Sequence, residues 1–248
     1  MVVAVFGDAH AHAEAFEAVV AAASGVDQLW SLGDMVGGGP DPSHVVARTR
    51  ELCAVALLGN HDYGATGSAE LARFGEPDSL AVRSLALARE RLGEDDLGWM
   101  RSRRPAARRG DVQCWHGGPR NPVHEYVGPS NARACLAVQK GRLGLVAHTH
   151  VAAAWRGSGA AVRIEVDAPL ELGEDKWLLN PGAAGAPVPS RLGWWNGLDQ
   201  QAAACWLELD LERRVATWRR APYDPAPARK RARELGLDGH ASPGTMPS

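Results

Sequence analysis

The stretch "VALLGNHDYG", residues 55–64, decides how this chain is read. Four apolar residues, 55–58, run into Gly59, and Asn60, His61 and Asp62 then stand side by side. The apolar run is short and reads as a buried strand. Leaving an amide, an imidazole and a carboxylate at the end of such a strand is costly unless something engages them.

The same ending recurs along the chain. Residues 2–6 lead into "GDAH" (7–10), residues 29–32 into Gly33-Asp34, residues 112–115 into His116, and residues 143–147 into His148-Thr149-His150. Between the first three runs, "HAEAFEAVVAAA" (12–23) places Phe16, Val19, Val20 and Ala23 at helical spacing, and Ser43 can cap a helix reaching residue 52. A strand–helix–strand–helix–strand opening predicts a partly parallel sheet covered by helices, an α/β fold. Loops at the carboxyl ends of parallel strands gather on one edge. Asp8, His10, Asp34, Asn60, His61, Asp62, His116, His148 and His150 are therefore expected to meet there.

The middle of the chain reads as helical at 79–92, 95–102 and 131–140. Beyond residue 150, short apolar runs at 151–155, 162–166, 176–180, 203–209 and 214–219 are separated by turn residues, which predicts antiparallel strands. Residues 1–221 are expected to form one domain. Residues 222–248, rich in proline, alanine and arginine, read as a C-terminal extension, partly disordered, with a short helix near 226–235.

Composition narrows the classes. The chain has 248 residues, 45% of them apolar, with 27 basic and 29 acidic side chains and a net charge of −2. That balance gives no electrostatic case for bulk nucleic-acid or membrane binding. The arginines at 101, 103, 104, 108 and 109 read as a solvated surface. Cys53, Cys114, Cys135 and Cys205 lack CxxC spacing, which suits a reducing compartment and speaks against a zinc ribbon. No segment approaches the ~20 apolar residues that cross a bilayer, and the expected location is the cytoplasm. Oligomeric state is not legible.

The collected donors are carboxylate, imidazole and amide oxygen without thiolate, a set that suits manganese, iron or zinc in a mixed N/O site. One tetrahedral ion uses only four ligands. Two ions about 3.5–4 Å apart, sharing a carboxylate, would use seven protein ligands and water. If the segment around Asp8-x-His10 is extended, alternate side chains share a side and both reach one ion; His148-x-His150 has the same geometry, although a shared ion is not required.

The ordered series "GDAH", "GD", "GNHD", "HGG" and "AHTH" resembles the calcineurin-like metallophosphoesterase superfamily over about residues 2–220. "SLGDMVGGGPDPSHVV", "HGGPRNPVHEYV" and "NPGAAGAP" are similar to its small bacterial phosphodiesterase-type members. The resemblance implies two packed mixed β-sheets in a four-layer α-β-β-α sandwich, with a dimetal site at the carboxyl ends of the strands. It implies that Asp8, His10 and His150 bind a first divalent ion, Asn60, His116 and His148 a second, and that Asp34 bridges them, with manganese ahead of iron, zinc or nickel. It places His61 beside the scissile phosphate and gives Asp62 the task of orienting the His61 ring. The implied reaction is hydrolysis of a phosphodiester or small organic phosphate by a hydroxide held between two cations.

Three departures bear on this. Ala11-His12 stands where Gly-Asn is usual, and His12 is a substrate-binding candidate or a solvated helix end. Ala147 replaces a glycine, which costs on the order of 1 kcal/mol if its φ is positive. No arginine follows "GD", which speaks against the protein-phosphatase branch. Arg120 is a candidate phosphate grip or a surface ion pair; His124 is a better pocket candidate than His44. Trp194 and Trp195, in "RLGWWNGLDQQ", raise a nucleotide as substrate through base stacking, or cover the core or a dimer contact. The alternative to an enzyme is a non-catalytic metal-binding scaffold with this fold. Relatives of that kind lose the substrate-facing His or several ligands, and this chain keeps them all.

Overall fold

The computed structural model describes residues 1–185 and 203–237. Strands β1 (Val2–Phe6), β2 (Gln28–Ser31) and β3 (Cys53–Ala56) run parallel, joined by helices α1 (Ala13–Ala22) and α2 (Pro42–Leu52). Helix α3 (Asn60–Ala65) follows, then α4 (Leu80–Arg91) and α5 (Glu94–Arg101). Next come β4 (Ala106–Arg109), β5 (Val112–Trp115), α6 (Ala132–Val138) and β6 (Leu143–Leu145). The chain continues through β7 (Ala153–Arg156), β8 (Ala160–Val162), β9 (Pro169–Glu171), β10 (Trp177–Asn180), β11 (Ala203–Asp210), β12 (Val215–Pro222) and α7 (Ala226–Glu234).

These strands form two mixed six-stranded sheets, ordered β3-β2-β1-β11-β12-β9 and β4-β5-β6-β10-β7-β8. Strand alternation explains the layering, because successive side chains point to opposite faces. Val3 and Val5 enter the core between the sheets, with Trp30, Cys114, Leu145, Leu179 and Trp218. Ala4 and Phe6 face the other way, under α1, α2, α4 and α5, against Phe16, Val19, Val45 and Leu85. In the second sheet Trp115, Val146 and Leu178 turn outward onto Cys135 and Leu136 of α6. The result is the expected sandwich of helices, two sheets and helices.

Two kinds of element escaped the sequence reading. Asn60, His61 and Asp62 form the first turn of α3 rather than a loop. The arginine-rich segment 106–109 is an edge strand paired antiparallel with β5, where exposed charge protects an open edge. β12 extends to Pro222, and α7 follows as the sequence predicts. Arg231 of α7 bonds Asp41 at 2.7 Å and Glu14 at 2.6 Å, tying the helix to the starts of α1 and α2. Cys114 and Cys135 are buried, Cys53 and Cys205 half-buried, and all four are free thiols. Residues 241–248, expected to be disordered, lie outside the described residues, as do Trp194 and Trp195.

Candidate metal centre

The carboxyl ends of β1, β2, β3, β5 and β6 converge, and backbone hydrogen bonds stitch the loops together. The Asp8 N–H donates to the Gly33 carbonyl at 2.9 Å, His10 to Asp34 at 2.9 Å, and Ala147 to His116 at 2.9 Å. Asp8, His10, Ala11, Asp34, His148 and His150 all have positive φ, between 48° and 66°. Non-glycine residues in this region cost free energy, and tight packing around them is what sustains it. The extended geometry expected for Asp8-x-His10 and His148-x-His150 is therefore wrong. Each pair turns left-handed, and that turn directs both side chains inward. Ala147 does not have positive φ; Ala11 does, at 57°. The cost assigned to Ala147 falls on Ala11 instead. Gly59 is needed for closeness, since a Cβ there would collide with the Asp34 carboxylate.

The side chains meet in two groups that share Asp34. In the first, His10 Nε2 lies 2.9 Å from His150 Nε2, and His150 Nε2 lies 3.6 Å from Asp8 Oδ1. In the second, His116 Nε2 lies 3.1 Å from Asn60 Oδ1 and 3.2 Å from His148 Nδ1. Asp34 Oδ2 stands between them, 3.7 Å from His10 Nε2 and 3.5 Å from His116 Nε2.

Tautomers follow from the other ring nitrogens. His10 Nδ1 donates to the carbonyls of Val36 (3.2 Å) and Gly37 (3.1 Å), and His116 Nδ1 to that of Leu32 (3.0 Å). Each Nε2 is left with a lone pair aimed into its group, the arrangement that second-shell carbonyls impose on metal-binding histidines. Burial lowers the pKa of His10 and His116 well below the usual imidazole range, and that of His148 and His150 to about 3. Burial also raises Asp8 and Asp34 well above the carboxylate range, with Asp62 adding repulsion. Neutral imidazoles and buried carboxylates with converging lone pairs fit a divalent cation. Ligand atoms ~2.0–2.2 Å from one ion lie about 3–3.5 Å from each other.

His61 stands beside these groups. Its ring meets His10 edge-on at 4.8 Å and tilts against Phe74 at 5.3 Å, and its buried Nδ1 has no hydrogen-bond partner. Burial lowers its pKa well below normal, and His10 lowers it further.

The role expected for Asp62 needs correction. Its carboxylate does not reach the His61 ring. It accepts four backbone N–H groups, from Asp34 and Gly59 (2.8 Å each), Met35 (2.9 Å) and Val36 (3.2 Å). Burial pushes its pKa up and the amides pull it down. Donors occupy both oxygens, so the anion is the form that fits.

For Arg120 and His12 the structure matches the structural alternatives. Arg120 is an ion pair: its Nε lies 2.6 Å from Glu125 Oε1. That carboxylate also accepts the Arg120 and Asn121 N–H groups, so the guanidinium braces its own loop. His12 is the N-cap of α1, with Asp41, Glu14 and Arg231 as charged neighbours. His44 pairs with Glu17 at 2.8 Å.

Asn180 and Tyr126 were not anticipated. Buried Asn180 donates to Ala147 O and Thr149 Oγ1 at 3.0 Å each and accepts from Gly182 N–H at 2.8 Å, which pins the turn carrying His148 and His150. The Tyr126 ring stacks on His148 with centroids 3.9 Å apart. "NPGAAGAP" and "HGGPRNPVHEYV" contain both, but no spacing rule links them to a site.

Comparison with known proteins shows what the whole chain is similar to. The family model described as calcineurin-like phosphoesterase matches residues 1–152. The chain is 28% identical over 229 residues to the uncharacterized protein MJ0912 of Methanocaldococcus jannaschii, covering 90% of this chain and 88% of that one. Among solved structures, a metallophosphoesterase from Sphaerobacter thermophilus superposes with a TM-score of 0.81 at 29% identity, over 96% of this chain and 95% of that one. The hypothetical protein PH1004 of Pyrococcus horikoshii superposes with a TM-score of 0.69 at 18% identity, over 95% and 94%.

Proposed function

This chain belongs to the calcineurin-like phosphoesterase family, and on that premise we propose that it hydrolyses a phosphodiester or small organic phosphate using two divalent cations. Asp8, His10 and His150 would hold one, Asn60, His116 and His148 the other, and Asp34 both. The observation that carries the reading is the position of Asp34 Oδ2, 3.7 Å and 3.5 Å from imidazole nitrogens of the two groups. Manganese is the first choice of metal, with iron, zinc and nickel as alternatives, because the donors are oxygen and imidazole nitrogen.

When bound, such cations offset charge on phosphoryl oxygens and lower the pKa of water toward neutrality. The protein's own groups supply the rest. Carbonyls of residues 32, 36 and 37 hold His10 and His116 in the metal-binding tautomer. The Asp62 carboxylate fixes the loop that carries Asp34. His61, held neutral by burial and beside both donor groups, would face the reacting phosphate. It donates a hydrogen bond to a phosphoryl or leaving-group oxygen, and an incoming phosphate anion raises its pKa toward proton transfer.

Metal-stripped protein reloaded with manganese, iron, nickel or zinc should hydrolyse p-nitrophenyl phosphate or its bis-ester. About two ions per chain should be retained. One tightly held ion with no hydrolysis of any ester would support a metal-binding scaffold instead.

A further inference from the structure

Tyr126 is 58% exposed, one of three large apolar side chains so open among the described residues, with Met1 and Val138. Unlike a free surface side chain, it is held from several sides. Its neighbour Glu125 is buried and bonds Arg120, Asn121, Asn131 and the Cys135 thiol. Its carbonyl accepts the Asn131 amide at 3.0 Å, and the next residue, Val127, is buried in the outer core of the second sheet. One ring face lies on His148 at an interplanar angle of 26°. The fixed backbone thus presents an aromatic ring directly beside the metal-ligand group, with much of its surface open to solvent. An aromatic held this way has little ordering entropy left to lose when a planar group lies on it.

Resting on the phosphoesterase reading, we propose that the open face of Tyr126 is a stacking platform for a nucleobase, so that the substrate is a nucleoside phosphoester. Geometry selects a nucleoside over a simple aryl ester. Tyr126 is one ring layer outside His148, so a group on its open face is two layers from the donor nitrogen. A ring bonded directly to a phosphoryl oxygen does not span that gap, whereas a base set off by its ribose does. Stacking tolerates any base, because each has a π-face.

The test compares adenosine 5′-monophosphate with ribose 5-phosphate, by calorimetry on full-length, manganese-loaded protein carrying His61→Ala to suppress turnover. The nucleotide should bind about five- to a hundredfold more tightly, the range that one base–aromatic stack supplies. Adding Tyr126→Ala should bring that ratio close to one, and adding Tyr126→Trp should preserve it. Metal content, measured alongside, should stay the same. Equal binding of the two ligands without a Tyr126 substitution overturns the platform, as does a ratio that survives Tyr126→Ala. If Tyr126→Ala weakens both ligands alike, the ring merely covers His148 and the proposal also falls. If neither ligand binds, the platform falls, while the phosphoesterase reading stands or falls separately on hydrolysis of p-nitrophenyl phosphate or its bis-ester by the unsubstituted protein.

Discussion

Asp62 and Asp34 are locked to one another through their shared loop. The Asp34 N–H donates to Asp62 Oδ2 at 2.8 Å, and Asp34 Oδ1 accepts the N–H of His61, the residue before Asp62, at 2.9 Å. The acid between the two donor groups is therefore positioned by a second acid whose carboxylate accepts only backbone N–H groups.

Replacing Asp62 should damage this frame. In Asp62→Asn, an amide NH2 would face backbone N–H donors where a carboxylate oxygen stood. Charged hydrogen bonds are worth ~1.5–3 kcal/mol each, and part of that is recovered by relaxation. The expected loss is about 2–4 kcal/mol in urea unfolding of the metal-free protein, with weaker manganese binding in titration. An unchanged unfolding midpoint together with unchanged affinity would show that the four amides find other partners.

For His61→Ala, the turnover number on an ester with a poor leaving group should fall by about 10²–10⁴, the range of general acid–base effects. Metal content should hold at two ions. His61 also lies within ligand reach of His10 and Asp34. Loss of one ion in the variant would make it a ligand instead of a substrate-facing group.

Asn180 supports two ligands without being one. Asn180→Ala removes its contacts to Ala147, Thr149 and Gly182 and leaves buried backbone groups unpaired, at ~1–3 kcal/mol. The expected outcome is a roughly ten- to hundredfold loss of metal affinity, the range for groups that orient ligands, read by competition with a fluorescent chelator. Wild-type affinity would mean that strand pairing alone sets the 147–150 turn.

Metal loading should release protons from carboxylates and not from imidazoles. Asp8 and Asp34 have raised folded-state pKa values. The metal-free fold therefore binds more protons than the unfolded chain above ~pH 4, and loses stability as pH rises through those values. His148 and His150, at about 3 in the fold, act oppositely. Each costs stability as pH falls from ~6.5, by at most about 1.4 kcal/mol per pH unit. Both are already neutral at pH 6, so their protons do not compete with metal there. The manganese-induced rise in Tm should grow as pH rises, and calorimetry in buffers of different ionisation enthalpy should show net proton release on the acid side. A rise independent of pH would mean that both acids are ionised before metal arrives.

Local patterns were legible in the sequence because they are repetitive. Apolar runs of strand length, each ending in Asp, His or Asn, foretold the layers and the edge on which these side chains lie. Period alone did not reveal that Asn60 opens a helix, since the first turn of a short helix reads like a loop. Nor did it reveal the edge strand at 106–109, whose arginines mimic a solvated patch.

The sequence by itself determined the kind of chemistry: which donors are present, in which order, and at the end of which strand. Only the tertiary structure decided the partnerships. It turned the Asp8 and His148 segments left-handed, gave Asp62 to backbone amides and Arg120 to Glu125, and set Tyr126 over His148. The physical reason is that a side chain's partner depends on where loops from different strands come to rest. Residues 8 and 148 meet when the His148 N–H donates to the Asp8 carboxylate at 3.1 Å, and no spacing along the chain encodes that distance.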